Sequence, residues 1–279
     1  MIVVTGATGN VGVPLVRTLA AAGEQVIAVS RASSVAGLPD GVLHRSADLA
    51  VPADLKPVFD GADALFLLVA GAGAQLDPDA ILGAARAGGI RRVVLLSSQA
   101  AGTRPESVSH APLHAIENAV RQSGLEWTIL RPGGFYSNTF AWAPTIRAQR
   151  TVAAPFGDVR LPGVDPADIA EVAAVALRDG DHAGRTYELT GPVATSPRER
   201  AAAIGEALGE PVRFVEQSRE EAREQMLRFM PEPVVQGTLA ILGEPLPAEQ
   251  RVSPDVASVL GRPPRSFADW AARNIAAFR

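Results

Sequence analysis

The segment "VTGATGNVG" near the amino terminus has the composition and spacing of a diphosphate-binding turn. Gly6, Gly9 and Gly12 stand three positions apart, between an apolar run and a helical pattern. Glycine lets the backbone turn tightly and approach a diphosphate, whose charge is stabilised by the amino end of the following helix. The alternative is an ordinary strand-to-helix turn, but the flanking elements favour a dinucleotide site. The residues expected to contact the dinucleotide here are Gly6, Thr8, Gly9, Asn10, Val11 and Gly12.

The residues after the second apolar run indicate which dinucleotide is bound. An acidic side chain there would bind the ribose 2′-hydroxyl of NAD, but the sequence has Ser30 and Arg31, and no acid before Asp40. A guanidinium suits the 2′-phosphate of NADP(H), which a carboxylate would repel. We therefore expect NADP(H), and the alternative for Arg31 is a solvated surface arginine. Asp48 and Leu49 are expected to meet the adenine, unless Asp48 serves only as a turn or capping residue.

Further candidates follow the ends of three later apolar runs, since open α/β sheets bind ligands at the carboxyl ends of their strands. The predicted cofactor contacts at these ends are Val69, Ala70, Ser97, Ser98, Pro132 and Phe135. One of the two serines is expected to cap a loop instead. Aromatic side chains follow from Phe135 to Trp142. They either form a flat hydrophobic substrate pocket or pack the interior of a lobe.

Composition excludes several classes of protein. The 279 residues include no cysteine, so a disulfide framework and thiolate chemistry are excluded. The net charge of −4 gives no reason to expect nucleic acid or an anionic membrane as a partner. The clearest apolar run, at 64–74, is too short to span a bilayer, and the amino terminus lacks a signal-peptide pattern. We expect a cytoplasmic protein that is either a monomer or a homodimer.

The elements that position the candidate residues follow from an alternation of apolar runs with helical patterns. This alternation is typical of βαβ units and predicts an α/β fold of Rossmann type, with a doubly wound parallel sheet. Helices are expected around 78–88 and 112–123. The predicted strands fall near 1–6, 24–30, 42–49, 63–71, 90–99 and 126–135, and a further strand near 185–191 returns to the sheet.

The second half of the chain is predicted to form a smaller, mainly helical C-terminal lobe. Prolines cluster in 139–165, so this segment is expected to be mostly irregular. Capping boxes that begin at Ser196 and Ser218 indicate two helix starts in the remainder. We expect residues 1–138 to form the dinucleotide-binding core and residues 139–279 to form the substrate lobe.

Motifs spread over the whole chain carry a family resemblance. They are "TGATGNVG", "SSQAAG", "SGLEWTILRPGGFYSN", "DIAEVAAVAL" and "YELTGP", in this order. With them the chain resembles the NmrA-like branch of atypical short-chain dehydrogenase/reductases. The resemblance implies a Rossmann core with a small C-terminal lobe. It also implies either NADPH-dependent reduction of quinones or azo compounds, or redox sensing by a regulator that binds dinucleotide without turnover.

The wider superfamily normally carries a catalytic tyrosine and lysine four positions apart on one helix, and this pair is absent. The chain has one lysine, Lys56, and Pro52 stands four residues before it. In "SHAPLHAIENAV" the same spacing joins His110 to His114, which lack the third ligand of a zinc site. His114 either hydrogen-bonds the nicotinamide ribose or is a surface histidine. The candidate catalytic residues, as positioning groups or optional proton sources, are His114, Tyr136 and His110.

The helix that carries these histidines is expected to be amphipathic. Leu113, Ile116 and Val120 form an apolar stripe that should face the sheet. Glu117 and Arg121 are expected on other faces as an ordinary i, i+4 pair.

The leading interpretation is an NADPH-dependent reductase that transfers hydride to a quinone-like or other conjugated hydrophobic small molecule. Such an acceptor delocalises the developing charge, so hydride transfer needs orientation and a dry pocket more than a strong acid. The alternative is a non-catalytic NADP(H)-sensing regulatory protein. The sequence has no DNA-reading motif or basic stripe, so no nucleic-acid partner is expected.

Overall fold

The computed structural model describes residues 1–33, 35, 37–69 and 76–279, which divide into two compact units. The core unit comprises Met1–Pro105, His110–Pro132 and Pro166–Glu188. The lobe unit comprises Glu106–Ser109, Gly133–Asp165 and Leu189–Arg279. The main segment of the lobe unit begins at Gly133, and Pro166–Glu188 returns to the core unit with a helix and most of the strand expected near 185–191.

The strands of the described residues form one sheet of seven strands and one of two. They are β1 (Ile2–Thr5), β2 (Val26–Ser30), β3 (Leu43–Ser46), β4 (Ala64–Leu68), β5 (Arg92–Leu96), β6 (Glu126–Pro132), β7 (Thr151–Pro155), β8 (Arg185–Leu189) and β9 (Arg213–Gln217).

The described residues also contain α-helices and short 3₁₀ helices. They are α1 (Gly12–Ala21), α2 (Pro52–Phe59), α3 (Pro78–Ala87), α4 (Gln99–Thr103), α5 (Ala111–Gln122), α6 (Ala143–Gln149), α7 (Pro166–Arg178), α8 (Pro197–Leu208), α9 (Arg219–Met226), α10 (Glu232–Gly243), α11 (Pro247–Gln250), α12 (Asp255–Leu260) and α13 (Phe267–Arg273). Short 3₁₀ helices occupy Tyr136–Trp142, Gly180–His182 and Ile275–Phe278. None of these helices is both long and apolar enough to cross a membrane.

The large sheet has the strand order β3-β2-β1-β4-β5-β6-β8. Its pairings from β3 to β6 are all parallel. At its far edge, Gly184 N donates to Trp127 O and Gly133 N donates to Leu189 O, so β8 runs in the same direction as β6. The predicted doubly wound parallel sheet is therefore confirmed. The strand order reverses at β1, so the carboxyl ends of β1 and β4 flank the switch point where such sheets bind ligands.

Burial of both faces explains why the central strands are almost continuously apolar. On one face, Val3 and Leu65 pack in a cluster with side chains of α2, α3 and α5. Val4 and Phe66 are also fully buried, and alternation along the strands directs them to the opposite face. The helices α1 and α7 pack against each other in the core unit. The packed core fixes the strand ends that carry the candidate site.

The lobe unit contains the two-stranded parallel sheet of β7 and β9, which the sequence did not predict. The expectation that 139–165 is mostly irregular is wrong, because α6 and β7 lie within it. Pro144 lies in the first turn of α6 and Pro155 ends β7. At such positions a missing N–H removes no internal hydrogen bond, so the prolines are compatible with both elements. The two capping boxes are confirmed at Ser196 and Ser218.

Candidate cofactor site and active site

The turn after β1 is shaped by two contacts with β4. Thr5 Oγ1 accepts a hydrogen bond from Leu68 N at 2.8 Å and donates to Phe66 O at 3.0 Å. Gly6 follows with φ of +64°, a left-handed conformation that favours glycine. A Cβ at Gly6 would also lie 2.8 Å from the side chain of Leu68. The left-handed backbone and the nearby Leu68 side chain therefore favour glycine at this position.

The segment between this turn and α1 presents backbone to solvent. Thr8, Gly9 and Asn10 are exposed, whereas Val11 is buried. Val11 is the N-cap residue of α1, and its side chain makes no capping hydrogen bond. A Cβ at Gly12 would lie 2.1 Å from the carbonyl oxygen of Gly6, so Gly12 is needed for the close packing of helix and turn. The exposed residues of this segment and the helix start without a side-chain cap fit a diphosphate.

The end of β2 carries a hydrogen-bonded pair that the sequence did not reveal. Ser30 is buried, and its Oγ lies 3.0 Å from Nε2 of His44 on the neighbouring β3. Arg31 follows and is exposed. The hydrogen bond holds the Ser30 hydroxyl at the end of β2. A hydroxyl and the Arg31 guanidinium are both chemically suited to a phosphate.

Asp48 and Leu49, the predicted adenine contacts, lie in the segment after β3. Asp48 Oδ1 accepts from Ala50 N at 3.0 Å, and Asp48 N donates to Asp54 Oδ2 at 3.1 Å. Asp48 thus has the turn role that was its alternative. Leu49 is half-buried and packs against the hydrophobic core. Val69, after β4, packs against the same core, and the predicted contact at Ala70 lies outside the described residues.

The two serines after β5 have different roles. Ser98 is the N-cap residue of α4, and its Oγ accepts from Ala100 N at 3.2 Å. This is the capping role expected for one of the pair. Ser97 is buried and donates through Oγ to Oε1 of Glu117 at 2.6 Å. Ser97 therefore connects the end of β5 to α5.

Glu117 lies at the centre of a buried network of charges. Arg131 of β6 donates to both of its carboxylate oxygens, from Nε at 2.9 Å and from Nη2 at 2.6 Å. Arg121 donates to Oε2 at 2.9 Å, so the predicted i, i+4 pair is present. The expectation that Glu117 lies on another face of α5 is wrong, because its side chain has no exposed surface. A core-facing stripe includes the i+4 position, and Glu117 stands four residues after Leu113.

The network determines the ionisation of Glu117. Burial alone would raise the pKa of this carboxyl, but the hydrogen bonds from Arg131 and Ser97 outweigh it and hold the pKa below its usual value. The hydrogen bond with Glu117 also raises the pKa of Arg131. A Cβ at Gly102 would lie 2.3 Å from Nη1 of Arg131, so the glycine in α4 makes room for the guanidinium. The network therefore connects the end of β5 and the strand β6 to α5, and α4 leaves space for it.

The two histidines lie at the start of α5. His110 is the N-cap residue and makes no side-chain capping bond, while Pro112 occupies the first turn. His114 is half-buried and stands one turn before Glu117. Its Nδ1 is buried and has no hydrogen-bond partner among the described residues. A polar atom in this condition is expected to find its partner in a bound ligand or water.

Tyr136 and its aromatic neighbours pack together in the lobe unit. Tyr136 has no exposed surface, and its ring centroid lies 5.2 Å from that of Phe267, edge to face. Phe140 lies 5.0 Å from Trp270 between ring centroids. This arrangement matches the packing alternative for the aromatic group. Of the predicted contacts nearby, Pro132 is buried at the end of β6 and Phe135 is half-buried.

A cavity of about 260 Å³ lies at the other edge of the large sheet, near the amino ends of its strands. Its charged groups pair with one another: the Met1 ammonium with Asp63 at 2.7 Å, and Arg92 with Glu126 at 2.7 Å. Parallel α/β sheets bind ligands at the opposite edge. Because these charges are paired within the protein, they do not indicate a ligand site in this cavity.

The comparisons with known proteins agree with the dinucleotide-binding role predicted for the glycine-rich turn. A protein family described as NAD(P)H-binding matches residues 6–180. The chain belongs to this NAD(P)H-binding family. The predicted resemblance to reductases is confirmed, since the relatives include an NAD(P)H azoreductase, and a solved structure of NmrA shares the fold, with a TM-score of 0.78 at 22% identity over 99% of this chain and 95% of that one.

Among its relatives is the (4-alkanoyl-5-oxo-2,5-dihydrofuran-3-yl)methyl phosphate reductase of Streptomyces griseus, 38% identical over 100% of this chain and 99% of the relative. The NAD(P)H azoreductase of Xenophilus azovorans is 33% identical over 100% of this chain and 99% of its own. A solved structure of the NADPH-dependent quinone oxidoreductase of Escherichia coli with NADPH has a TM-score of 0.80 at 23% identity. It covers 98% of this chain and 99% of that one, and it supports the fold. The chain thus belongs among NAD(P)H-dependent reductases.

Proposed function

We propose that this protein is an NADPH-dependent reductase that transfers hydride to a quinone-like or other conjugated hydrophobic acceptor. The observation that carries the proposal is the turn from Gly6 to Gly12, with exposed residues 8–10 and an α1 that lacks a side-chain cap, followed at the end of β2 by Arg31 in place of an acid. Relatives named for the reduction of azo compounds and of a dihydrofuran methyl phosphate support a conjugated acceptor.

The cofactor would be held by residues of the core unit. The backbone of Gly6–Gly12 and the start of α1 suit the diphosphate, and Arg31 with Ser30 suits the 2′-phosphate. When bound, NADPH supplies the hydride. His114, with its buried and unpartnered Nδ1 among the described residues, suits a ribose hydroxyl. The buried Glu117 keeps Ser97 and α5 in fixed positions around this site.

The reaction does not require a strong protein acid. Lys56 is the lone lysine and no tyrosine stands four residues before it, so the tyrosine acid of carbonyl-reducing relatives is not available. A conjugated acceptor spreads the incoming negative charge over its π system, and the proton can come later from solvent. The protein's contribution is then orientation of the acceptor and exclusion of water.

A two-step experiment tests the proposal. NADPH and NADH are first titrated into the purified protein, and NADPH consumption is then followed with a naphthoquinone, an azo dye and a conjugated lactone. We expect tighter binding of NADPH and turnover of at least one acceptor. Stoichiometric NADPH binding without oxidation by any acceptor would overturn the proposal in favour of a dinucleotide-sensing regulator.

A further inference from the structure

Ser30 and His44 form a hydrogen-bonded pair at the carboxyl end of β2, within the core unit. The Oγ of Ser30 lies 3.0 Å from Nε2 of His44, which is half-buried on β3. Ile27 and Val29 of β2 pack in the cluster with α2, so alternation along the strand directs Ser30 to the opposite face. The imidazole of His44 therefore reaches that face as well.

Two backbone hydrogen bonds join the neighbouring segments to the same strand end. Ala7 N, in the glycine-rich turn, donates to Val29 O at 3.1 Å, and Ala47 N, after β3, donates to Ser30 O at 3.1 Å. Arg31 follows Ser30, is exposed and forms no ion pair within the described part of the chain. The strand end that carries the pair therefore adjoins both the glycine-rich turn and Arg31.

The direction of the hydrogen bond in this pair depends on the protonation of His44. A neutral imidazole can carry its hydrogen on Nδ1 and accept at Nε2, and the Ser30 hydroxyl then donates its one hydrogen to the ring. A protonated imidazole carries hydrogen on both nitrogens, so Nε2 donates and Ser30 accepts. The hydroxyl hydrogen of Ser30 is then available for another acceptor. Since an ionised phosphate oxygen only accepts hydrogen bonds, a phosphate at this strand end favours the protonated imidazole.

The charged side chains of the elements around His44 leave it without an ionic partner. Among the described residues, none of them forms an ion pair with the imidazole. They are Arg17 of α1, Arg31 after β2, Asp40 before β3, Arg45 of β3, and Asp48 and Asp54 after β3. The two last carboxylates accept hydrogen bonds from the backbone N–H groups of Ala50 and Asp48. A bound phosphate would therefore supply an anion that the described protein does not place at the imidazole.

We propose that His44 is a positioning residue for the 2′-phosphate of NADPH, and that it takes up a proton from solvent when that phosphate binds. The proton reverses the hydrogen bond to Ser30, which makes the Ser30 hydroxyl a donor to the phosphate, and it adds positive charge near the end of β2. NADH lacks the phosphate and leaves the pair unchanged. The inference rests on the NADPH preference in the proposed function and deepens it, because it makes that preference depend on pH.

Calorimetry measures the proton directly. NADPH and NADH are each titrated at about pH 7 in two buffers of different ionisation enthalpy, and the difference in heat gives the number of protons taken up. In the native protein we expect more proton uptake with NADPH than with NADH. His44→Gln places an amide near Ser30 that does not titrate, so this excess should be smaller in the variant. Any proton exchanged by the phosphate itself is common to both proteins and cancels.

Affinities from the same titrations show whether His44 acts on the phosphate alone. His44→Gln should weaken NADPH binding about 2- to 5-fold, the effect of losing a partly exposed charge, and leave NADH binding unchanged. Equal proton uptake with NADPH in the native protein and in His44→Gln would overturn the inference. Equal losses of NADPH and NADH affinity would also overturn it, because they are the result of a merely structural role.

His182→Gln is the matched control. His182 is another half-buried histidine of the core unit, and its Nδ1 lies 2.8 Å from the Tyr187 hydroxyl. Tyr187 belongs to β8, at the opposite edge of the large sheet from β3. The control variant should change neither the proton uptake nor the ratio of the two affinities.

The pH dependence of the native protein is a second measurement that needs no variant. An imidazole gains its proton mainly between about pH 8 and about pH 5, whereas a phosphate monoester stays largely a dianion down to about pH 7. The ratio of Kd for NADH to Kd for NADPH should therefore rise about 2- to 5-fold from about pH 8.5 to about pH 7. A constant or falling ratio would overturn the inference.

These measurements need only cofactor binding, so they separate the inference from the proposed hydride transfer. A protein that shows the excess proton uptake and oxidises no acceptor would support the inference, although the reductase function had failed. Equal native affinities for NADPH and NADH would overturn the inference, and reduction of a quinone with either cofactor would still support hydride transfer.

Discussion

Glu117→Gln removes one negative charge from the interior of the core unit and leaves the guanidinium groups of Arg121 and Arg131 beside a neutral amide. The native carboxylate accepts hydrogen bonds from Ser97 at 2.6 Å, from Arg131 at 2.9 and 2.6 Å, and from Arg121 at 2.9 Å. An amide of the same shape would turn one of these acceptors into a donor that faces another donor. Loss of one partner of a buried ion pair costs about 3–5 kcal/mol. That is a large part of the roughly 5–15 kcal/mol that stabilises a typical domain.

Urea unfolding followed by circular dichroism measures this loss, and Glu126→Gln is its control. Glu126 also pairs with an arginine, Arg92 at 2.7 Å, but its carboxylate is 51% exposed. An exposed pair of this kind contributes below about 1 kcal/mol, so the control should change the free energy of unfolding only slightly. A cost for Glu117→Gln no greater than that of Glu126→Gln would refute the account of the buried network.

The pH dependence of the same difference is a second test. The pKa of Glu117 is lowered in the folded protein from its ordinary value of 4.5, so its ionised form contributes stability that is fully present above that value. The contribution is lost as the pH falls from 4.5 toward the lower pKa of the folded state. The gap in stability between the native protein and Glu117→Gln should therefore be constant near neutral pH and narrow in acid. A gap that widens in acid would contradict the sign of the shift.

Three other predictions concern the candidate site. Arg31→Ala should weaken NADPH binding about 10- to 100-fold and leave NADH nearly unchanged, and equal losses in the two titrations would show that Arg31 does not contact the 2′-phosphate. Gly9→Val should abolish NADPH binding, because the side chain would occupy the space of the diphosphate, and the protein should stay folded, because Gly9 is exposed. Gly12→Ala should instead destabilise the fold, because its Cβ would lie 2.1 Å from a backbone oxygen. His110→Ala and His114→Ala should each slow quinone reduction by less than the roughly 10²–10⁴-fold cost of losing a general acid, measured as kcat; a loss of that full size would identify the residue as the proton donor.

The core unit could be predicted from the sequence because its signals are local. The strands β1, β4 and β5 are short apolar runs, and each is followed by a turn or helix signal within a few residues. The small sheet of the lobe unit offers no such signal. Thr151 of β7 pairs with Arg213 of β9, and charged residues interrupt the apolar pattern of β9. The stability of these strands comes from a pairing between distant segments, which periodicity does not reveal.

The candidate site divides in the same way. The turn at Gly6–Gly12 is encoded by adjacent residues, so its glycine pattern was sufficient to find it. Glu117 and Arg131 are fourteen positions apart and meet only because α5 packs on the strands β5 and β6. The available signal is a charged residue at a position of the apolar stripe, but the residue type favours a surface position. His44 reaches Ser30 across two neighbouring strands and carried no signal of its own.

The buried network gives a physical reason why α5 can serve this site without a tyrosine and lysine. Glu117 fixes the helix to β5 through Ser97 and to β6 through Arg131, so His114, one turn earlier, cannot move far to find a hydrogen-bond partner. Its buried Nδ1 lacks a partner in the described structure, and leaving a polar atom in that state costs free energy. A helix anchored by ion pairs can sustain that cost, and a ligand hydroxyl would relieve it on binding. Under the proposed function, α5 therefore contributes orientation, which is what hydride transfer to a conjugated acceptor chiefly needs.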